Sequence, residues 1–279
     1  ARWSAVAVPL HPGINRILVQ ALDSGGEELE RQTLDVWYET AGGHTVTGHI
    51  TADTTWEPSA GPFTVATLLT VLPGATLTIR PGTTVYFGQG GGLAVHGRLI
   101  AVGEPGARIR LTRLPGSGDR WQGIMLSDSP VDNRLACADL EYGDGAGAAL
   151  TVQNSRIEVV QCTWRSAGGN ALVFENSTVH VRDCVFGPTG SAKTVVGRTI
   201  PASGHVIFDQ NTFAALDEDG YGLWLSQAWR PGPIYQLYGN TFQGTQCSAV
   251  YLIEADAHIE GNSFIKLAPV PGAAVGVEG

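Results

Sequence analysis

The sequence predicts an all-β fold, a parallel β-helix with three short strands per coil, preceded by a short antiparallel β-segment. Three observations predict it. The first is a recurring phrase: Ala138-Asp139-Leu140, Cys162-Thr163-Trp164, Cys184-Val185-Phe186, Asn211-Thr212-Phe213, Asn240-Thr241-Phe242 and Asn262-Ser263-Phe264. Its first residue is small or amide-bearing, and its third is large and apolar. It returns at a period in the twenties without helix-forming runs, the mark of a solenoid. The second is a pair of apolar runs between phrases. One series includes Leu150-Thr151-Val152, Leu172-Val173-Phe174, Leu223-Trp224-Leu225, Val250-Tyr251-Leu252 and Val275-Gly276-Val277. The other includes Ile157-Glu158-Val159, Val179-His180-Val181, Val206-Ile207-Phe208 and Ala257-His258-Ile259. Both alternate in and out, the period of a strand with one buried face. The third is composition: 37 Gly and 15 Pro supply turns, while one Met and 15% charged residues leave little for long surface helices.

Stacked coils pair each strand with its copy one turn on, parallel and about 4.8 Å away. Equivalent residues then form columns. Asn211, Asn240 and Asn262 are expected to make an amide ladder, with Cys162 and Cys184 in the same rank earlier. The four Cys (137, 162, 184 and 247) lack CxxC or Cys/His metal spacing. Stacking brings Cys162 and Cys184 within bridging range, but buried free thiols fit the way Cys packs.

Residues 1–42 read differently. Trp3–Leu10, Pro12–Asp23 and Thr33–Tyr38 are expected strands, with turns at Pro12-Gly13 and Ser24-Gly25-Gly26. Ala41-Gly42-Gly43 marks the boundary with the coil of 43–279. Within it, Pro73-Gly74, Pro81-Gly82 and Gly91-Gly92 are turns between short strands. Ser191–Gly204, Leu216–Gly220 and Ser226–Pro233 are expected insertions, bulging from one side. No obvious cap follows Val275-Gly276-Val277, and open ends would allow end-to-end self-association.

The run Thr76-Leu77-Thr78-Ile79-x-Pro81-Gly82-Thr83, then Gly97-x-Leu99-x-Ala101-x-Gly103 and Trp121-x-Gly123-Ile124, resembles the opening coils of bacterial right-handed parallel β-helix proteins. With the Asn-x-Phe repeats the resemblance covers about residues 45–279. It implies the pectin-lyase-like superfamily architecture and, with the general preference of parallel crossovers, a right-handed coil. It carries no named activity, because that architecture hosts lyases, hydrolases, epimerases, adhesins and passive stalks. Pro9-Leu10-His11-Pro12-Gly13-Ile14-Asn15 onward resembles the last strands of bacterial immunoglobulin-like domains. That match covers half of such a domain and implies a piece of a longer, multidomain chain. Alternatively these strands fold back to cover the first coil.

A net charge of −9 and a pI near 5.2 disfavour nucleic acid and anionic membranes as partners. No apolar run reaches the roughly 20 residues of a membrane span. Alternation places two outward files on the strands before each phrase. One holds Glu158, His180, Ile207, Gln236 and His258; the other Val160, Arg182, Asp209, Tyr238 and Glu260. On that shared face Arg182 would neutralise a uronate, and His180 or Tyr238 would abstract a proton, with Asp209 beside them. An ordinary solvated face is the competing reading. On the other series Trp224 and Tyr251 point outward as stacking neighbours, with Tyr221 and Trp229 near, a candidate sugar platform. The Asp217-Glu218-Asp219-Gly220 turn offers Asp217 and Asp219 as oxygen ligands for Ca²⁺, and Asp139, Glu141 and Asp144 form a second acidic patch. No other cofactor is implied.

These observations point first to a non-catalytic structural or binding module of a larger bacterial secreted or cell-surface protein. Its expected partners are polysaccharide or other surface proteins. The alternative is a polysaccharide lyase or glycoside hydrolase acting on an acidic polysaccharide through the His180 face.

Overall fold

In a computed structural model the described residues are 8–10, 12–38, 43–145, 147–216, 220–228, 231–244, 248–265 and 275–278. Trp3, Trp229, Asp217, Asp219 and Cys247 therefore lie outside the described residues.

Among the described residues the chain forms a β-solenoid of about nine turns and a separate two-stranded hairpin. The three solenoid sheets hold 10, 9 and 10 strands, and every neighbouring pair steps one coil along the chain. Sheet 1 contains the repeated phrase, from His44–Val46 to Ser263–Ile265. Sheet 2 runs from His49–Ile50 to Val275–Glu278, and sheet 3 from Thr54–Trp56 to Ala257–Glu260.

Alternation explains the core. The third residue of each phrase points inward and stacks on its copy: Trp164 on Phe186 at 4.5 Å, Phe186 on Phe213 at 4.7 Å, Phe213 on Phe242 at 4.6 Å. Each offset pair adds about 0.5–1.5 kcal/mol beyond the area it buries. The opposite wall is a column of Leu150, Leu172, Val195, Leu223 and Val250, all fully buried.

The first residue of each phrase closes the bend between sheets 3 and 1. The Asn211 backbone N–H donates to Asn240 Oδ1 at 3.0 Å, and the Asn240 N–H to Asn262 Oδ1 at 2.8 Å. Upstream the Cys184 N–H donates to Asn211 Oδ1, and the Cys162 N–H to Cys184 Sγ at 3.3 Å. Cys137, Cys162 and Cys184 are buried free thiols. Burial beside Cys184 pushes the Cys162 thiol pKa well up. The residue before each phrase bends the chain at positive φ: Gln161, Asp183 and Gln210, then Gly239 at 59°.

A second ladder, not anticipated from sequence, closes the bend between sheets 2 and 3. Asn176 Nδ2 donates to Asn154 Oδ1 and Asn154 Nδ2 to Asp128 Oδ1, both at 2.9 Å. Inside it, the backbone N–H groups of Ser129 and Ser155 donate to the next Ser hydroxyl, Ser155 Oγ and Ser177 Oγ.

Expected insertion bounds are corrected: the strand Tyr221–Ala228 runs into Ser226–Pro233. The segment Ser191–Gly204 is not wholly an insertion: Lys193–Arg198 is a strand of sheet 2. Its pattern is hidden because Gly197 stands in the column between Phe174 and Leu225. A Cβ there would strike the Phe174 ring and lie 2.8 Å from Leu225 Cδ2. The Phe174 side chain fills the volume that a large residue at 197 would occupy.

The N-terminal segment is a hairpin of β1 (Gly13–Leu22) and β2 (Glu28–Tyr38). It makes its contacts along the outer flank of sheet 1. Gly13 approaches Thr84, Trp37 packs on Tyr86, and Arg16 reaches Glu141. No strand is formed at Val8–Leu10.

Candidate functional site

Three outer surfaces carry chemistry. The first is the buried junction beneath the hairpin. Arg16 grips Asp35 with two bonds of 2.9 Å and Glu141 with one of 3.2 Å. Arg108 bonds Asp139 at 2.9 Å, and Arg110 lies within 3.9 Å of both Asp139 and Glu141. Asp139, Glu141 and Arg110 are nearly inaccessible, so the acidic patch formed by the first two is neither solvated nor free for a cation. Burial opposes the Arg16 charge, but the bond to Asp35 and the Glu141 and Asp139 carboxylates outweigh it and raise its pKa. The bond from Arg16 holds the Asp35 carboxyl below its usual value. Among the described residues no group of three or more His, Cys, Asp or Glu is arranged to hold a metal ion, and the Asp217/Asp219 site falls outside them.

The second surface is the outer face of sheet 3. Its register aligns Glu158, His180, Ile207, Gln236 and His258 in one file, and Val160, Arg182, Asp209, Tyr238 and Glu260 in the next. The shared face read from alternation is therefore present. Its polar groups bond to one another, across coils and within strands. Arg134 pairs with Glu158 at 3.2 Å, and Arg182 reaches Glu158 at 3.9 Å. The Tyr238 hydroxyl donates to Gln236 Oε1 at 3.2 Å, and His258 meets Glu260 at 3.1 Å. Burial lowers the His180 pKa; Glu158 opposes this, while Arg182 and His205 reinforce it. Sequence reasoning overlooked Arg98, Arg134 and Arg156, which open or centre strands of this sheet. An Arg standing just before an Ile in the inward file at Arg156-Ile157 was the available signal.

The third surface is an aromatic file on sheet 2. Trp224 stacks on Tyr251 at 4.6 Å and 27°, and Tyr221 meets both edge-on at 4.7 and 5.4 Å. The Lys193 ammonium sits 3.4 Å from the Trp224 ring centre. Lys193 comes from the preceding strand and Tyr251 from the following one, so they cover opposite faces of Trp224. All three rings are partly exposed. Gly276 leaves room beside the Tyr251 ring, and the Tyr251 hydroxyl donates to Glu278 at 3.0 Å. That bond raises the Tyr251 pKa; burial lowers that of Lys193.

No protein-family model matches the chain, and no solved structure matches it. One curated relative is "Protein bark beetle" of Drosophila melanogaster, 38% identical over 98 residues, 32% of this chain. The match spans 3% of that protein's length, so the likeness is a local one between segments.

Proposed function

We propose that the chain is a non-catalytic structural or binding module of a longer secreted or cell-surface protein, contacting polysaccharide through Tyr221, Trp224 and Tyr251. The observation that carries this reading is the pairing along sheet 3. The groups a lyase would direct at a substrate are spent on each other: Arg182 on Glu158, Tyr238 on Gln236, His258 on Glu260. The aromatic file adds the contact. Its ring edges and hydroxyls suit the mixed apolar and polar faces of a sugar.

One observation favours the alternative, an acidic-polysaccharide lyase or glycoside hydrolase. His180 is half-buried with a lowered pKa, and a neutral imidazole beside Arg182 is the form a proton-abstracting base requires. Incubation with polygalacturonate and other acidic polysaccharides, followed by ultraviolet absorbance of unsaturated products, separates the two. No turnover is expected. Turnover that disappears in His180→Ala or Arg182→Ala would overturn the proposal. For the contact, tryptophan emission titrated with neutral and acidic glycans should respond in the native protein and lose that response in Trp224→Ala.

A further inference from the structure

We propose that a trough along the outer face of sheet 3 binds a sulfated polysaccharide chain laid parallel to the solenoid axis. This site is separate from the aromatic file on sheet 2 and stands whether or not that file binds sugar.

The trough is built rather than incidental. A cavity of about 370 Å³ is lined by Arg98, Arg134, Arg156, Glu158, His180 and His205. A second, of about 560 Å³, continues past His205 to Pro231, Ile234 and Gln236. His205 lines both, so the two adjoin along one trough. Its wall is the Pro201–Gly204 turn, closed by the Gly204 N–H donating to the Pro201 carbonyl at 2.7 Å. The wall is tied to the floor by the Val179 N–H donating to the His205 carbonyl at 3.0 Å.

Charge selects the occupant. The chain as a whole is at −9, yet the cavity lining sets Arg98, Arg134 and Arg156 against Asp132 and Glu158, while Arg182, outside the lining, pairs with Glu158 and Asp183 and neighbours Asp209. Glu158 serves two guanidiniums, Arg134 and Arg182. Arg98 Nε donates to the Asp132 carbonyl, a neutral acceptor that leaves its charge uncompensated. One positive charge thus remains over the three strands that carry these groups in the first cavity, on side chains such as Arg134 and Arg156 that are roughly half exposed. Guanidinium forks match oxyanions. A sulfate ester presents three oxygens in a pyramid and can engage guanidiniums from two neighbouring coils, about 4.8 Å apart. A carboxylate presents two oxygens in one plane and fits one fork. Thr178 and Gln236 supply partners for hydroxyl groups. Nucleic acid fits less well, because single strands need open aromatic faces for stacking and the two cavities have no Phe, Tyr or Trp in their lining.

The test is titration with heparin, a sulfated polysaccharide, by calorimetry at low salt and again at rising salt. Binding that weakens with ionic strength is expected. Arg134→Ser with Arg156→Ser should weaken it about tenfold or more. Glu158→Gln frees two guanidiniums and should tighten it by roughly threefold, a gain that misfolding cannot produce. Trp224→Ala should leave heparin binding unchanged, which distinguishes this trough from the sheet 2 contact. No binding at low salt, or a double variant that melts normally and binds as well as the native protein, would overturn the site. Equal affinity for polygalacturonate or single-stranded DNA of matched charge would overturn the assignment to sulfate.

Discussion

Asn211 gives two hydrogens to one oxygen of Asn240: its backbone N–H and its side-chain Nδ2 both reach Asn240 Oδ1 at 3.0 Å. Asn240 in turn donates to the Phe208 carbonyl at 2.8 Å and to Asn262 Oδ1 at 2.9 Å. One fully buried side chain thus satisfies two backbone groups of the preceding coil and meets the Asn262 side chain of the next. Asn240→Ala strands the Asn211 N–H and the Phe208 carbonyl in the core. At about 1–3 kcal/mol for each unsatisfied group, the loss should be roughly 2–5 kcal/mol by urea unfolding. Asn240→Asp should cost more, since it replaces a donor with a buried charge. A loss below about 1 kcal/mol for both would show the column to be ornamental.

Gly197 and Phe174 occupy one volume. Gly197→Ala should destabilise by about 1–3 kcal/mol through overpacking. Phe174→Leu alone should cost about as much through the opposite fault, a cavity. The double variant should be more stable than the sum of the two losses predicts, because the new methyl occupies space the ring has vacated. Thermal or urea unfolding of the four proteins closes the cycle, and strict additivity would disprove shared occupancy.

These two sites mark where the sequence is transparent and where it is not. The Asn column is legible because its members sit at the head of a repeated phrase, and the phrase fixes register for the strands before it. Counting back from it places Glu158, His180, Gln236 and His258 in the file they occupy. The strand Lys193–Arg198 is obscured because its core position is filled from the neighbouring coil, which erases the local alternation. The Asp128-Ser129, Asn154-Ser155 and Asn176-Ser177 ladder is written as a repeated acidic-or-amide residue before Ser, a fainter signal than the apolar runs beside it. The Arg16–Glu141 contact has no sequence signal. It joins a hairpin to a coil 125 residues away, and nothing periodic links them.

That hairpin should be acid-labile. The Asp35 pKa is lowered in the folded state, so its contribution is fully present above the unfolded carboxylate value of about 3.9 and is lost as pH falls through the lower, folded value. Arg16 stays charged throughout. Trp37, packed 5.9 Å from Tyr86, reports the docking. Its emission should shift in acid before the solenoid melts, and Asp35→Asn should abolish that transition. Arg16→Met should weaken docking by about 1.5–3 kcal/mol, the worth of hydrogen bonds to a charged group, and speed proteolysis within 12–38 while leaving 43–279 intact. Unchanged cleavage would show that the apolar contacts alone hold the hairpin.

His180 supplies a test of the sheet 3 electrostatics that requires no ligand. Burial lowers its pKa, and Arg182 and His205 add to the effect, while Glu158 works against them. In proton NMR its ring should titrate below the ordinary histidine value of about 6.5. Glu158→Gln removes the stronger of two opposing carboxylates, the other being Asp209, and should drive the midpoint lower; Arg182→Gln should raise it. The unfolded chain takes up this proton at higher pH than the folded one. Stability from this site is therefore complete above about pH 6.5 and declines as pH falls towards the folded midpoint. A midpoint at or above that of a free histidine, or one that Glu158→Gln moves upward, would mean that the two side chains do not share the face the register gives them.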